Sequence, residues 1–384
     1  LGVWFFAILA PSSSIIPLPQ QIAAEKRMYL PLAAVITGVV IGVFFLGRRL
    51  VQRGKMTQTT AQKTGLGLVL LTGCILAWAA YERNNTYGDA LTLWQDTVDK
   101  IPTNARAHGN LGYIYANLNQ ADEAIRCYQT ALKLQPDLAK AYRGMGSVYA
   151  QRGRFPKALE CFETALHLQP DYAEALCNHA AALVKMGQAD KAIPEFEKAL
   201  QIDPNCAAVF SNLGSVLADR GREEEAIPYF EKALELMPDD ATIHYYLGMA
   251  LSSRGRYREA AAHYRSALKF NHDYGEASNN LAMLLSSCPE ESIRNGQQAV
   301  ALAQEAVRLS NGQEPIPLDT LASAYAETGQ FQEAVQTEKK AIDLAARQNN
   351  LKWLDTFNKK LQLYQTNKPF RASPPQATTP SEKH

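Results

Sequence analysis

The sequence predicts an all-α chain, a right-handed α-solenoid of about seven helix pairs preceded by transmembrane helices. Three observations carry this expectation. Small, aromatic and proline residues recur at multiples of 34 positions. Within each half-repeat the apolar residues keep helical spacing. Ahead of the repeats lie two long runs without a charged residue.

The apolar end comes first. Across 384 residues hydrophobic content is 47%, but the first 81 residues are strongly apolar and the rest is amphipathic. Tyr29–Gly47 holds 19 residues without a charge, and Gly65–Tyr81 holds 17. A helix rises about 1.5 Å per residue against a hydrocarbon core of about 30 Å, so the first run spans and the second barely does. Residues 1–10 read as part of a third span, because Leu1 already lies inside an apolar run; the chain therefore reads as the C-terminal piece of something longer. Residues 1–84 are thus expected to be a transmembrane region. Arg48, Arg49, Arg53, Lys55 and Lys63 lie between the two runs with no acid among them. The positive-inside rule makes loop 48–63 cytoplasmic and everything after Tyr81 extracytoplasmic, in a bacterial inner membrane or the endoplasmic reticulum. Net charge is +1, which gives no bulk attraction to nucleic acid.

The repeat is read from five series. Leu111-Gly112, Met145-Gly146, Leu213-Gly214 and Leu247-Gly248 form the first, and Ala124, Ala158, Ala192, Ala226 and Ala260 the second. Tyr128, Phe162, Phe196, Phe230 and Tyr264 form the third, and Ala131, Ala165, Ala199, Ala233 and Ala267 the fourth. Pro136, Pro170, Pro204 and Pro238 close four repeats, since proline cannot continue a helix. Five repeats hold one register: 105–138, 139–172, 173–206, 207–240 and 241–274. This pattern resembles the tetratricopeptide (TPR) family, which implies stacked helix pairs and a groove for a protein or extended peptide. Two irregular repeats follow, the sixth from Gly275 with an insert SSCPEESIRNG and the seventh from about Pro315, so that repeats cover 105–348. Residues 349–366 are expected to cap the end, with Trp353, Leu354, Phe357, Leu361 and Tyr364 on one stripe. Residues 367–384, with little apolar content and several prolines, read as a disordered tail. The phase also runs upstream, making 85–104 a leading half-repeat whose first helix is the last membrane span.

A second resemblance lies in Pro11–Pro31. Ser12–Ser14, Ile16-Pro17, Glu25, Arg27 and Tyr29-Leu30-Pro31 resemble the stretch before a late membrane helix in the TPR-bearing protein O-mannosyltransferase-like glycosyltransferases. The order of loop, spans and outward repeats is similar too. The resemblance implies a polyprenyl-phosphate sugar donor, with the catalytic acids upstream of this chain, and so no catalytic residue here. Glu25, Lys26 and Arg27 become candidates for contact with a lipid phosphate, the bases pairing with it and the acid orienting them. Ordinary anchoring of a helix end at the lipid interface is the other reading of those charges.

The repeats carry no catalytic constellation. The six cysteines show no CxxC pair, and the seven histidines are dispersed. Cys177 and His179 have no second pair, which makes His179 a core histidine rather than a metal ligand, and no cofactor is expected on this chain. Asn110, Asn178, Asn212 and Asn280 repeat one turn before the Gly or Ala of the helix crossing, the row being broken at Gly144, Tyr246 and Thr320. It is similar to the asparagine row of nucleocytoplasmic O-linked N-acetylglucosamine transferases, which implies amides holding an extended backbone. Bridging between adjacent helices is the competing role. Arg143 joins the candidates, but the basic clamp of chaperone-binding TPR proteins is not complete. Two functions follow: a membrane-anchored protein-binding module forming the non-catalytic end of a glycosyltransferase, or a membrane-tethered adaptor without enzymatic activity.

Overall fold

The computed structural model describes residues 38, 41–86 and 89–374. The described chain is helical, and it divides into two compact parts, Leu1–Asp96 and Thr97–His384.

In the first part, residues 41–52 form a helix, Gly54 turns the chain with a φ of 67°, and Gln58–Thr86 form a 29-residue helix. No helix among the described residues is long and apolar enough to cross a membrane. Within the described residues the expectation of two spans therefore has no support. Much of 29–47, like 1–10, lies outside the described residues. The apolar run 65–81 is embedded in a helix that begins Gln-Thr-Thr-Ala-Gln-Lys and ends Glu-Arg-Asn-Asn-Thr. Seventeen residues rise about 26 Å, short of the hydrocarbon thickness. Leu66, Leu68, Leu70, Leu71, Ile75 and Trp78 are all exposed. The helix Ala90–Lys100 that was expected to lead the solenoid is present, but it buries none of its residues.

The second part is the solenoid. Its first five repeats pair Ala105–Asn117 with Ala121–Leu134, Ala139–Gln151 with Phe155–Leu168, Ala173–Lys185 with Ala189–Ile202, Ala207–Asp219 with Glu223–Leu236, and Ala241–Ser253 with Tyr257–Phe270. Gly275–Ser287 with Gly296–Leu309 and Pro315–Glu327 with Phe331–Arg347 complete the sixth and seventh. A last helix, Leu354–Gln365, packs on Phe331–Arg347. First helices of successive repeats touch one another from repeat one to five and from six to seven, while second helices pack on the next first helix. The first helices therefore line the inside of the curve.

In repeats one, two, four and five a ring lies on a residue without a side chain, and repeat three keeps its ring, Phe196, with Ala180 at that position. A Cβ on Gly146 would sit 2.6 Å from the Phe162 ring, on Gly248 2.8 Å from Tyr264, and on Gly214 2.9 Å from Phe230. The rings are fully buried or nearly so, with Ala158, Ala165, Ala226, Ala233, Ala260 and Ala267 beside them at zero exposure. Where the ring is lost the glycine is lost too: repeat six has Ala282 and Ala303 at these positions, and repeat seven Ala322 and Glu338.

Turns between paired helices follow one rule with one exception. A residue with positive φ ends the first helix: Asn119, Gly153, Gly187, Gly221, Gly255 and Gly329. The next N–H then reaches back, as from Arg154 to the Tyr149 carbonyl at 2.9 Å. Repeat six lacks this turn. Cys288 leaves the helix in an extended conformation, Glu291–Ile293 make a short 3-10 turn, and Asn295 closes the detour by donating to the Leu285 carbonyl at 2.8 Å. Asn295 also caps the following helix through Gln298.

The C-terminal end is polar inside. The Lys360 ammonium donates to both Asp319 oxygens, at 2.8 and 2.7 Å, in an almost fully enclosed pair. Tyr364 and Ser323 hydroxyls meet at 2.9 Å. Glu338 stands where other repeats place the ring, with both carboxyl oxygens buried and unbonded. Burial first, and the Asp319 charge second, push its carboxyl well above the ordinary 4.5, against the pull of Lys360. Residues 367–374, expected to belong to a disordered tail, are placed against the solenoid: the Ala372 N–H donates to the Ser287 carbonyl at 2.8 Å. Residues 375–384 lie outside the described residues.

Two outcomes test this packing. Gly146→Ala should cost about 1–3 kcal/mol in urea unfolding, because the Phe162 ring must move. Gly109→Ala, whose Cβ would meet only Leu138 at 3.6 Å, should be neutral or gain up to about 1 kcal/mol from helix propensity. The second concerns Glu338. Its raised folded pKa means that the unfolded chain releases a proton above 4.5 that the fold retains, so stability falls as pH rises. Glu338→Gln should therefore gain on the parent steadily between about pH 5 and 8, measured by urea unfolding across pH.

Candidate functional site

The inside of the curve is built from positions one helical turn apart on the first helices. The asparagines stand there half-buried, and their donors are already engaged in repeats three, four and six. Asn178 donates to the Ser147 hydroxyl at 3.1 Å, on the preceding first helix. Asn280 donates to the Tyr245 hydroxyl at 3.4 Å, and Asn212 approaches the Cys177 sulfur at 3.6 Å. Each of these three amides thus bridges adjacent repeats, the role that competed with peptide binding in the sequence. Asn110, in the first repeat, is also half-buried.

The break at Gly144 has a physical cause. A Cβ there would lie 2.5 Å from the Tyr128 hydroxyl, so the phenol of the preceding repeat fills the space an asparagine would need. After Phe162 and Phe196 the amide returns, and it also returns as Asn280 after Tyr264, so the exclusion belongs to the placement of Tyr128 and not to a phenol as such. After Phe230 stands Tyr246, which stacks on that ring at 6.1 Å and 14°. Arg143 is held by the Tyr172 hydroxyl at 2.7 Å, lies over the Tyr172 ring at 5.6 Å and reaches Glu174 at 3.7 Å. It is positioned as part of the wall. Burial raises the Tyr172 hydroxyl above its ordinary pKa, with Arg143 opposing, so the donor at neutral pH is the guanidinium and the phenol accepts.

The side chains that offer free area are others. Tyr113 is 57% exposed, and Met249 and Met283 are each 42% exposed. They follow Asn110, Tyr246 and Asn280 by three residues, hence share their face. Tyr245 packs against Tyr246, Tyr264 and Tyr274, giving repeats five and six an aromatic wall. The sequence pointed to none of these methionines, because residue types vary at that position: Ser147, Ala181 and Ser215 occupy it in repeats two to four. The signal available was the spacing from the asparagine row.

His179 is buried, with Nδ1 2.6 Å from Glu195 and Nε2 3.8 Å from Glu163. No cluster of three metal-ligating side chains occurs among the described residues, and all six cysteines are free. Glu25, Lys26 and Arg27, the candidates for a lipid phosphate, lie outside the described residues.

The sequence matches a profile for the cilia and flagella-associated protein 70 C-terminal domain over residues 76–314, and a tetratricopeptide repeat profile over 318–348. No curated protein sequence matches the chain. Among solved structures, the APC/C hetero-tetramer Cut9-Hcn1 aligns with a TM-score of 0.56 at 18% identity, covering 80% of this chain and 57% of that one. The pilF protein of Pseudomonas aeruginosa aligns with a TM-score of 0.50 at 21% identity, covering 54% and 92%. YrrB, described as a TPR protein with an unusual peptide-binding site, aligns with a TM-score of 0.39 at 24% identity over 49% and 97%. The first two alignments agree with the fold, and the first profile covers more than half of the sequence: the chain belongs to the family of the cilia and flagella-associated protein 70 C-terminal domain, as a tetratricopeptide-repeat solenoid of the protein-interaction type.

Proposed function

We propose that the solenoid holds an extended segment of a partner protein along the first helices of repeats one to six. The observation that carries this is the exposure of Tyr113 in repeat one and of Met249 and Met283 in repeats five and six, at one repeated position beside the half-buried asparagines. Large apolar side chains left open on an inner curve suit an anchor residue, and methionines adapt to several shapes. The amide oxygens of Asn178 and Asn212 make no hydrogen bond with the chain's own groups among the described residues, so they can accept from a peptide backbone while their donors brace the repeats. Arg143 contributes as a wall, through the guanidinium face that Tyr172 fixes.

Capture of partners on the immobilised chain, followed by anisotropy with the captured segment, tests the groove. Met249→Glu with Met283→Glu should keep the melting temperature and lose about tenfold or more in affinity. Joint replacement of Asn110, Asn178 and Asn212 by Ala should also weaken binding while the chain stays folded. Unchanged affinity in both variants returns the asparagines to bracing alone.

A second reading, favoured by the exposed apolar side chains of Gln58–Thr86 and by the Pro11–Pro31 resemblance, keeps the membrane. In it the chain is the C-terminal, non-catalytic part of a glycosyltransferase that uses a polyprenyl-phosphate sugar donor. Glu25, Lys26 and Arg27 approach the lipid phosphate, and the repeats face the extracytoplasmic side. The full-length protein should then fractionate with membranes and transfer sugar from such a donor. Normal partner capture without any transfer would favour the adaptor without enzymatic activity.

A further inference from the structure

The two departures from the repeat, the detour in repeat six and the segment after the last helix, meet at one place. Asn367, at a φ of 57°, ends Leu354–Gln365 and turns the chain back, with the Lys368 N–H closing on the Leu363 carbonyl at 2.9 Å. Phe370 then packs with Tyr364, Ala322 and Ala326, and the Lys360 ammonium lies 4.8 Å from its ring centre. Arg371 pairs with Glu327 at 2.7 Å and reaches the Ser286 carbonyl at 3.5 Å, and the Ala372 N–H donates to the Ser287 carbonyl.

One of these partners, the Ser286 carbonyl, is open because repeat six is irregular. Elsewhere the positive-φ turn folds N–H groups back over the last carbonyls of the first helix. In repeat six the chain leaves at Cys288 in an extended conformation, the Ser286 carbonyl faces Arg371 where its equivalents take a turn N–H, and the Ser287 carbonyl gains a bond from the returning segment. The detour supplies a second component. Arg294, tied to the Cys288 carbonyl at 3.0 Å, holds the other Glu327 oxygen at 3.1 Å. Glu327 is only 13% exposed and stands between two guanidinium groups. One of these is fixed by the detour, and the other arrives on the segment.

We propose that Ser286, Ser287, Glu327 and the apolar floor around Ala326 and Tyr364 form a binding site for an extended aromatic–arginine–alanine segment, occupied by the molecule's own Phe370-Arg371-Ala372. Each element reads one feature of the ligand. The floor takes the ring, Glu327 the guanidinium, and the Ser287 carbonyl the backbone N–H. The segment is joined to the last helix by one turn of chain and Arg371 remains exposed, so it is a strap that can be exchanged for a partner segment of the same pattern. The site lies at the ends of the first helices in repeats six and seven, and it does not depend on the asparagine row.

The test uses the full chain. Phe370→Ala with Arg371→Ala vacates the site while retaining the strap's length. A labelled peptide of residues 367–376 should bind this variant and bind the parent about tenfold more weakly or worse, because the parent's own strap competes. Adding Glu327→Gln to the variant should weaken the peptide about tenfold, the effect of losing a mostly enclosed ion pair. In the parent, the Ala372 amide should exchange slowly with solvent deuterium, and Arg371→Ala alone should speed it about tenfold while the amides of Leu354–Gln365 keep their rates. Equal peptide binding to parent and variant, or binding to neither, overturns the site, as does an Ala372 amide that exchanges at the same rate in parent and Arg371→Ala. Met249→Glu with Met283→Glu should leave the peptide's affinity unchanged, so failure of the groove and failure of this site remain distinguishable.

Discussion

The solenoid depends on an absent methyl group. At Gly146, Gly214 and Gly248 a buried ring occupies the volume that any side chain would claim, and this contact sets how closely the two helices of a repeat approach. Close approach brings Ala158, Ala226 and Ala260 into the interface at zero exposure. It also leaves the second helix free to present its outer side to the next repeat. A repeat with a looser crossing would not match the curve of its neighbours, and since no repeat buries its apolar face alone, the fault would spread along the stack. The paired loss of ring and glycine in repeats six and seven obeys the same volume rule.

That rule is why so much of the fold could be read from the sequence. Ring and alanines recur together through five repeats, with glycine at four of the five crossings and Ala180 at the other, so five repeats share one visible register along the chain. What escaped was whatever replaced the rule. The detour in repeat six was legible as an insert, but nothing in SSCPEESIRNG showed that Asn295 would return to the Leu285 carbonyl. Residues 367–374 carry prolines and few apolar groups, so composition read them as a tail; apart from the single ring of Phe370, their partners are backbone carbonyls and one carboxylate, which leave no hydrophobic periodicity. The buried Glu338 was hidden for a related reason. It falls at the ring position of the last repeat, where charge reads as surface until Asp319 and Lys360 are seen beside it.

The groove was half legible. An amide recurring every 34 residues is visible as a row, yet the row itself does not separate bracing from binding. The structure assigns the donors of Asn178, Asn212 and Asn280 to the neighbouring repeat, while the residues with open area sit three positions later and share no residue type. The apolar helix near the start differs again. Its residues between Gly65 and Tyr81 carry the right character for lipid over too short a length, and the polar turns at both ends belong to the same helix.

The enclosed end also bears on how far the stack of repeats can extend. A stack of like repeats has no inherent last member, and two such stacks can in principle join end to end, each offering the other its next first helix. Here the place of an eighth first helix is taken by Leu354–Gln365, whose Lys360 is committed to Asp319 and whose Tyr364 is committed to Ser323. An incoming ordinary repeat would have to strand a buried carboxylate to dock. The polar cluster thus acts as a terminator in the polymer chemist's sense, fixing the count of repeats from one end and barring filaments through it.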